Sequence, residues 1–194
     1  MAVNCRFLCT FAFAIRKECK DILLNRLSIH RHEKRANTYY WDCPNKDLSE
    51  LLEAEVIIIP AQNGDMTGHA DGMVRFIDHD TILGNNRSDE YKYWKNGIEK
   101  VLKDYSIKYI DVPFFYGYKD SKHPDNAIGV YVNYLEVGNL IILPVFEVEG
   151  NKDAEAIAAF KQIFPDKMIE AIKYNEVALE GGTLNCSTWT YKSV

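Results

Sequence analysis

Hydrophobic and polar residues alternate along the chain in two consecutive blocks, which predict the same order of elements. In the first block, short apolar runs predict strands at residues 72–77, 81–84 and 107–112. Between the last two strands, apolar residues at helical spacing predict a helix that begins at Ser88 and Asp89. The first block is therefore expected to form a β-β-α-β unit.

The second block repeats this order roughly 60 residues later. Its apolar runs predict strands at residues 128–137, 140–146 and 168–172, with a helix at residues 152–164 between the last two. Gly138-Asn139 suits a tight hairpin turn because glycine readily adopts a positive φ. We therefore predict a mixed α/β (α+β) fold that is built from ββαβ repeats.

The repeats do not account for the whole chain. Leu48, Leu51 and Leu52 sit at helical spacing ahead of a predicted strand at residues 56–60, which resembles the end of an earlier unit. Residues 183–189 resemble the first strand of another unit. Residues 1–46 have no consistent period, although residues 16–27 are compatible with a helix. We therefore divide the chain into an unassigned segment, 1–46, and a repeat domain, 47–194.

Composition restricts the class of protein. The chain has 194 residues, of which 47% are hydrophobic and 26% charged, as is typical of one globular domain or two small ones. No apolar run approaches the ~20 residues needed to cross a bilayer. The net charge is −5 and there is no basic stripe, which argues against nucleic acid as a partner. A cationic ligand fits this charge better.

The cysteine pattern indicates a reducing compartment. The five cysteines are Cys5, Cys9, Cys19, Cys43 and Cys186. They form no Cys-x-x-Cys pair, and their number and density do not indicate a disulfide framework or a structural zinc site. We therefore expect a cytoplasmic protein. Secretion is the alternative, because Ala12-Phe13-Ala14 at the end of an apolar run resembles a signal-peptidase site.

Polar residues that could carry chemistry cluster just ahead of predicted strands, at residues 68–72, 123–126 and 180–186. If the units are related by rotation, these junctions face one axis and bring His69, Asp71 and Cys186 together. A thiolate is a nucleophile, a histidine can move protons, and a carboxylate can hold a guanidinium by paired hydrogen bonds. The adjacent Gly181 and Gly182 permit a close backbone approach to a ligand.

Each of these residues also has a structural interpretation. Cys186 could be a small core residue, His69 a satisfied polar residue and Asp71 the cap of a turn. His123 and Asp125 form a rival His-x-Asp pair, which is either a structural echo of the repeat or a secondary substrate contact. The sequence leaves these alternatives open.

Four segments carry a resemblance to a known family. They are Gly-His-Ala-Asp-Gly-Met-Val-Arg-Phe at 68–76, a hairpin at 129–146, Phe-Pro-Asp at 164–166 and Glu-Gly-Gly-Thr-Leu-Asn-Cys at 180–186. In order and spacing they resemble the C-terminal half of the agmatine deiminase and bacterial, Porphyromonas-type, peptidylarginine deiminase family. The resemblance implies the pentein fold, a ring of five ββαβ modules, of which this chain would hold about half.

The resemblance also implies a reaction. Cys186 would be the nucleophile, His69 the general acid and base, and Asp71 a carboxylate that binds the guanidinium. The substrate would be agmatine or an arginine side chain, which is hydrolysed to a ureido product and ammonia through a thiouronium intermediate without metal or cofactor. We expect Gly181, Gly182, Asn185 and Asp125 to line the substrate site.

One departure from the family affects these expectations. Longer members carry an N-terminal half with Trp-x-Arg-Asp and Glu-Gly-Gly-Asn segments, and residues 1–46 contain neither. We therefore expect a truncated deiminase with weak activity and open sheet edges, which favour a homodimer. The alternatives are a non-catalytic relic or binding module of the same fold and, less favoured, a cysteine hydrolase that acts on acyl substrates.

Overall fold

The structure is a computed structural model that describes residues 12–16, 55–61 and 69–189. The chain divides into two compact units. The first contains the described residues up to Ala70, together with Phe76–Ile82 and Tyr91–Lys108. The second contains Asp71–Arg75, Leu83–Glu90 and the described residues from Tyr109 onward. Apart from Arg16, the helices expected at residues 16–27 and 48–52 lie outside the described residues.

The described elements are short strands and helices. The strands are β1 (Ala12–Arg16), β2 (Glu55–Ile59), β3 (Val74–Phe76), β4 (Thr81–Asn85), β5 (Lys108–Val112), β6 (Leu135–Val137), β7 (Leu140–Val145) and β8 (Met168–Lys173). The α-helices are α1 (Lys92–Asp104), α2 (Asp153–Ile163), α3 (Asn175–Leu179) and α4 (Leu184–Ser187), and 3-10 helices occupy Ala70–Gly72 and Arg87–Asp89. Among these helices, none is both long and apolar enough to cross a membrane.

The predicted repeat is confirmed by the element order. The chain runs β3-β4-α1-β5 and then β6-β7-α2-β8, so each repeat has two strands, a helix and a third strand. The strand orders of the two sheets are β3-β4-β5 and β6-β7-β8, with the second strand of each repeat in the centre. Two copies of one supersecondary unit therefore follow each other in sequence.

In the first unit, β1 pairs with β2 in antiparallel register from Ala12↔Ile59 to Arg16↔Glu55. Strand β1 lies in the segment to which the sequence pattern assigned no strand. Helix α1 buries Trp94, and the Trp94 indole N–H donates to the Pro60 carbonyl oxygen at 2.9 Å. Gly97 permits this close packing, because a Cβ there would lie 2.5 Å from Pro60 Cγ.

In the second unit, β7 lies between the antiparallel β6 and the parallel β8. The hairpin between β6 and β7 turns at Gly138, whose φ of 60° confirms the predicted turn. Helix α2 crosses from β7 to β8 and buries Phe160 against Tyr134, with the ring centroids 5.0 Å apart. This aromatic contact belongs to the core of the unit.

The strand predicted at residues 128–137 is wrong for most of its length. Only Leu135–Val137 is a strand, and residues 128–134 form turns. Gly129 has a φ of 91°, and a Cβ there would lie 2.1 Å from the Phe115 carbonyl oxygen. The segment therefore bends at Gly129, and its polar groups bond to other parts of the unit rather than to a neighbouring strand.

Two further predictions need correction. The helix expected to begin at Ser88 and Asp89 begins at Lys92, because Asn86 caps a separate 3-10 helix by accepting from Ser88 N–H. The strand expected at residues 183–189 is instead the short helix α4, closed by a hydrogen bond from Ser187 N–H to the Thr183 carbonyl oxygen. Alternation alone does not distinguish a short strand from one helical turn.

Candidate functional site

The loop that leads to Cys186 requires glycine at two successive positions. Gly181 has a φ of 89°, which lies in the left-handed region, and a Cβ there would lie 3.1 Å from the Asp125 carbonyl oxygen. At Gly182 a Cβ would lie 3.0 Å from Cys186 Cβ. The paired glycines therefore let the backbone turn tightly between α3 and α4.

Asp71 and Cys186, which are far apart in sequence, are in direct contact within the second unit. The Cys186 thiol donates to Asp71 Oδ2 at an Sγ–O distance of 3.2 Å. Asn185 Nδ2 donates to the same oxygen at 2.9 Å. Three residues that the sequence analysis singled out therefore lie together at the start of α4.

Two residues that the sequence analysis did not single out complete this cluster. Asn133 Nδ2 donates to Asp71 Oδ2 at 2.9 Å and to Cys186 Sγ at 3.3 Å. The Thr183 hydroxyl donates to Asn133 Oδ1 at 2.6 Å. Asn133 is a lone polar residue between apolar neighbours, and this pattern could have marked it, because a buried amide needs partners.

The environment of Cys186 favours the neutral thiol. Partial burial of the sulfur, the negative charge of Asp71 and the hydrogen bond to Asp71 raise the pKa of Cys186 to about 11. The backbone N–H of Thr183 and the Asn133 amide act in the opposite direction. Without a ligand, the thiol therefore holds its proton at neutral pH, although the residue is exposed.

A carboxylate beside a thiol suits a cationic, planar ligand. A guanidinium presents several N–H donors to a carboxylate, and its carbon can be attacked by sulfur. The sequence profile of the Porphyromonas-type peptidyl-arginine deiminases matches residues 14–191 of this chain. The chain belongs to this family.

Agmatine deiminases are among the relatives of this family member. The agmatine deiminase of Ectopseudomonas mendocina is 40% identical over 60 residues, which are 31% of this chain and 16% of that enzyme. The agmatine deiminase of Pseudomonas putida is 43% identical over 60 residues, again 31% of this chain and 16% of that enzyme. These alignments therefore cover short parts of both proteins.

A solved structure of C. jejuni agmatine deiminase has the same fold. It superposes with a TM-score of 0.57 at 21% identity, and the match covers 74% of this chain and 45% of that enzyme. The predicted fold class, a partial pentein of ββαβ repeats, is confirmed by this similarity. The chain spans less than half of the length of this solved relative.

The remaining predicted residues of this deiminase-family chain lie in different settings. His69 belongs to the first unit, where it is half-buried and directly precedes the 3-10 helix of Asp71. Asp125 is exposed, and its carbonyl oxygen faces Gly181. His123 Nδ1 lies 3.6 Å from Glu180 Oε1, an ion pair when the histidine is protonated. The roles of His69, Gly181, Gly182 and Asp125 stay predictions.

Proposed function

We propose that this chain hydrolyses the guanidinium group of a small cationic substrate, agmatine or an arginine side chain, to a ureido group and ammonia. The observation that carries the proposal is the 3.2 Å contact between the Cys186 sulfur and the Asp71 carboxylate. This contact supports the proposal, because a thiol beside a negative charge suits a guanidinium ligand and the chain belongs to a deiminase family. A guanidinium bound by Asp71 would have its carbon next to the sulfur.

The reaction would proceed in two balanced steps. The Cys186 thiolate forms a bond to the guanidinium carbon, and one C–N bond breaks as ammonia leaves with a proton donated by His69. Water then attacks the thiouronium carbon and gives one proton to His69, and the C–S bond breaks to return the thiolate and release the ureido product. The second proton of this water is released to solvent, where it converts the ammonia to ammonium. His69 takes this role from the family resemblance, and histidine suits it chemically.

The bound cation would activate the nucleophile. In the free chain the negative charge of Asp71 raises the pKa of the Cys186 thiol, and the thiol proton is directed to Asp71. A guanidinium that pairs with Asp71 neutralises this charge and competes for the hydrogen bond. Both effects favour the thiolate, so substrate binding and thiol deprotonation would be coupled.

We further propose that residues 47–194 carry this activity and that it is weak in the chain alone. The Trp-x-Arg-Asp and Glu-Gly-Gly-Asn segments are missing from its sequence. A guanidinium held by fewer carboxylates is less well positioned, and a misplacement of about 1 Å can cost on the order of 10²-fold in rate. Against a typical kcat of ~10 s⁻¹, we therefore expect ~0.1 s⁻¹ or less.

A non-catalytic binding module is the second candidate. The pKa of about 11 for Cys186 favours it, because a protonated thiol is a poor nucleophile at neutral pH. In that case Asp71 would bind a guanidinium without any subsequent attack. Agmatine would then bind to the chain without being hydrolysed, and Asp71→Asn would abolish this binding.

The deciding experiment measures ammonia and ureido release from agmatine, free arginine and an arginine peptide. We expect slow turnover that disappears in Cys186→Ala and persists in the matched control Cys43→Ala. Histidine, carboxylate and cysteine are also zinc ligands, so each assay is run with and without a chelator. No turnover from a folded chain that binds agmatine would favour the binding module over the deiminase.

We also propose that the protein pairs with a second copy of itself in the cytoplasm. Strand β8 is the outer strand of its described sheet, and Met168 and Ile172 on it are exposed. Such an edge favours pairing with another chain, and the cysteine pattern supports a reducing compartment. We expect light scattering to give a dimer that Ile172→Lys dissociates, and a monomer at all concentrations would contradict this.

A further inference from the structure

Asn133 occupies the centre of the cluster although it carries no charge and no nucleophile. Asn133 is buried, at 2% exposure, and directly precedes the buried Tyr134. Both edges of its carboxamide are engaged. Oδ1 accepts from the Thr183 hydroxyl and from the N–H groups of Asn185 and Cys186, at 2.6, 3.1 and 3.3 Å.

The opposite edge of the carboxamide contacts the reactive groups. Nδ2 lies 2.9 Å from Asp71 Oδ2, 3.1 Å from the Asp71 carbonyl oxygen and 3.3 Å from Cys186 Sγ. An amide has two N–H donors, so these three acceptors share them. One small side chain therefore bonds to the carboxylate, to the sulfur and to the start of α4.

The orientation of this amide is determined by its partners. Backbone N–H groups can only donate, so the edge that faces Asn185 and Cys186 must be the oxygen. The nitrogen edge must then face Asp71 and the sulfur. A donor on the sulfur stabilises the thiolate relative to the thiol, in opposition to Asp71.

We propose that Asn133 is a positioning residue, which holds the Cys186 sulfur and the Asp71 carboxylate at hydrogen-bonding distance and stabilises the thiolate when it forms. The inference rests on the proposed function only in taking Cys186 as the nucleophile. It assigns to Asn133 no contact with substrate. It requires that replacement of the nitrogen edge changes the reactivity of the sulfur.

Asn133→Asp removes the nitrogen edge and keeps an oxygen for α4. The readout is the rate of iodoacetamide alkylation against pH, followed by mass spectrometry on the peptide that contains Cys186. We expect alkylation at pH 9 to slow by about tenfold or more, because a hydrogen bond to the ionised sulfur is lost and the new carboxylate adds a negative charge beside it. The pH profile should move to higher pH.

Asn151→Asp is the matched control. Asn151 also uses both edges, donating Nδ2 to the Val148 carbonyl oxygen at 2.6 Å and accepting from Asp153 N–H at 3.0 Å. Its variant should keep the Cys186 profile of the unmodified chain. An unchanged profile in a folded Asn133→Asp protein would overturn the inference.

A second measurement needs no variant and covers the case in which Asn133→Asp does not fold. N–H groups in the first turn of a helix normally lack an intrahelical partner and exchange readily. The Cys186 N–H donates to Asn133 Oδ1, so its hydrogen exchange in the unmodified chain should be protected. Exchange as fast as in an unfolded peptide would overturn the inference.

These readouts separate the inference from the proposed function because neither requires turnover. A shifted profile without turnover on any guanidine would support the role of Asn133 and contradict the deiminase. Turnover with an unshifted profile would support the deiminase and contradict the role of Asn133.

Discussion

Two adjacent buried residues of the second unit, Asn133 and Tyr134, belong to two clusters that are held together by different interactions. Asn133 lies in the polar cluster, which we define as Asp71, Asn133, Thr183, Asn185 and Cys186. Tyr134 lies in the aromatic cluster, which we define as Tyr134, Phe160 and Phe164. Both residues are almost fully buried, at 2% and 0% exposure. Equal burial therefore accompanies two different kinds of interaction.

The aromatic cluster depends on apolar area and the polar cluster on direction. The Tyr134 ring lies 5.0 Å from Phe160 and 6.0 Å from Phe164, and such contacts tolerate rotation and small shifts. In the polar cluster, exchanging the O and N of Asn133 would put donor against donor. We therefore expect changes in the aromatic cluster to affect mainly stability, and changes in the polar cluster to affect the reactivity of the sulfur.

The largest expected effect is on stability, from Phe160→Ala in the aromatic cluster. Truncation of a fully buried phenylalanine leaves a cavity and should lower the free energy of unfolding by about 3–5 kcal/mol. Urea unfolding measures this loss, and Phe160→Leu should lose less. The Cys186 alkylation profile should stay unchanged. A shift as large as in Asn133→Asp would mean that the two regions are not separable.

Thr183→Val should lower stability less than Phe160→Ala does, and it should also affect the reactivity of Cys186. The Thr183 hydroxyl donates to Asn133 Oδ1 and to the Asn133 carbonyl oxygen, and valine keeps its shape without the donor. We expect the free energy of unfolding to fall by about 1–2 kcal/mol. Thr183→Ser, which restores the hydroxyl, is the control. If Thr183→Val is as stable as Thr183→Ser, the buried hydroxyl does not support the cluster.

Asp71→Asn should accelerate alkylation of Cys186 near pH 8. The Asp71 charge and its hydrogen bond help to raise the pKa of Cys186 to about 11, so their removal lowers this pKa and increases the thiolate fraction below it. One pKa unit corresponds to about tenfold in rate. Asp89→Asn is the control, since Asp89 pairs with Lys152 and not with the sulfur. Slower alkylation in Asp71→Asn would contradict the sign of this coupling.

The smallest expected effect is a gain of stability from Tyr134→Phe. The Tyr134 hydroxyl is buried and has no hydrogen-bond partner in the part of the chain that the structure describes. Removing an unpaired buried hydroxyl should raise the free energy of unfolding by about 1 kcal/mol. Urea unfolding measures this gain, and Tyr131→Phe is the variant for comparison. The Tyr131 hydroxyl donates to Asp153 at 2.7 Å, so its loss should lower the free energy of unfolding. Destabilisation by Tyr134→Phe would contradict the purely apolar role of that cluster.

Local pattern was sufficient to predict several of the regular elements. Strands β4, β5, β7 and β8 and helix α2 lie within about two residues of their predicted bounds, because the apolar runs and the helical spacing that predict them are local features of the sequence. The turn at Gly138 followed from the conformational freedom of glycine. These features depend on neighbours within a few residues, and such neighbours are visible in the sequence.

Local pattern failed where distant segments compete for the backbone. Residues 128–134 have the composition of a strand, yet Gly129 bends the chain and the Asn133 carbonyl and side chain bond to Thr183 and Asn185. Within the predicted strand at residues 183–189, Leu184–Ser187 form a helical turn, and the N–H groups of Asn185 and Cys186 find their acceptor about 50 positions away. The hydrophobic pattern of neither segment indicates these distant hydrogen-bond partners.

The sequence by itself determined the repeated ββαβ order and marked Asp71, Asn185 and Cys186 as candidates, because hydrophobic patterns and short motifs can be recognised in the sequence without any knowledge of distant contacts. Only the tertiary structure decided that Thr183 and Asn133 join them, and that the thiol donates its hydrogen bond to a carboxylate. The physical reason is that hydrogen bonds act over about 3 Å in space. The residues that they join here are separated by 50 to 115 positions.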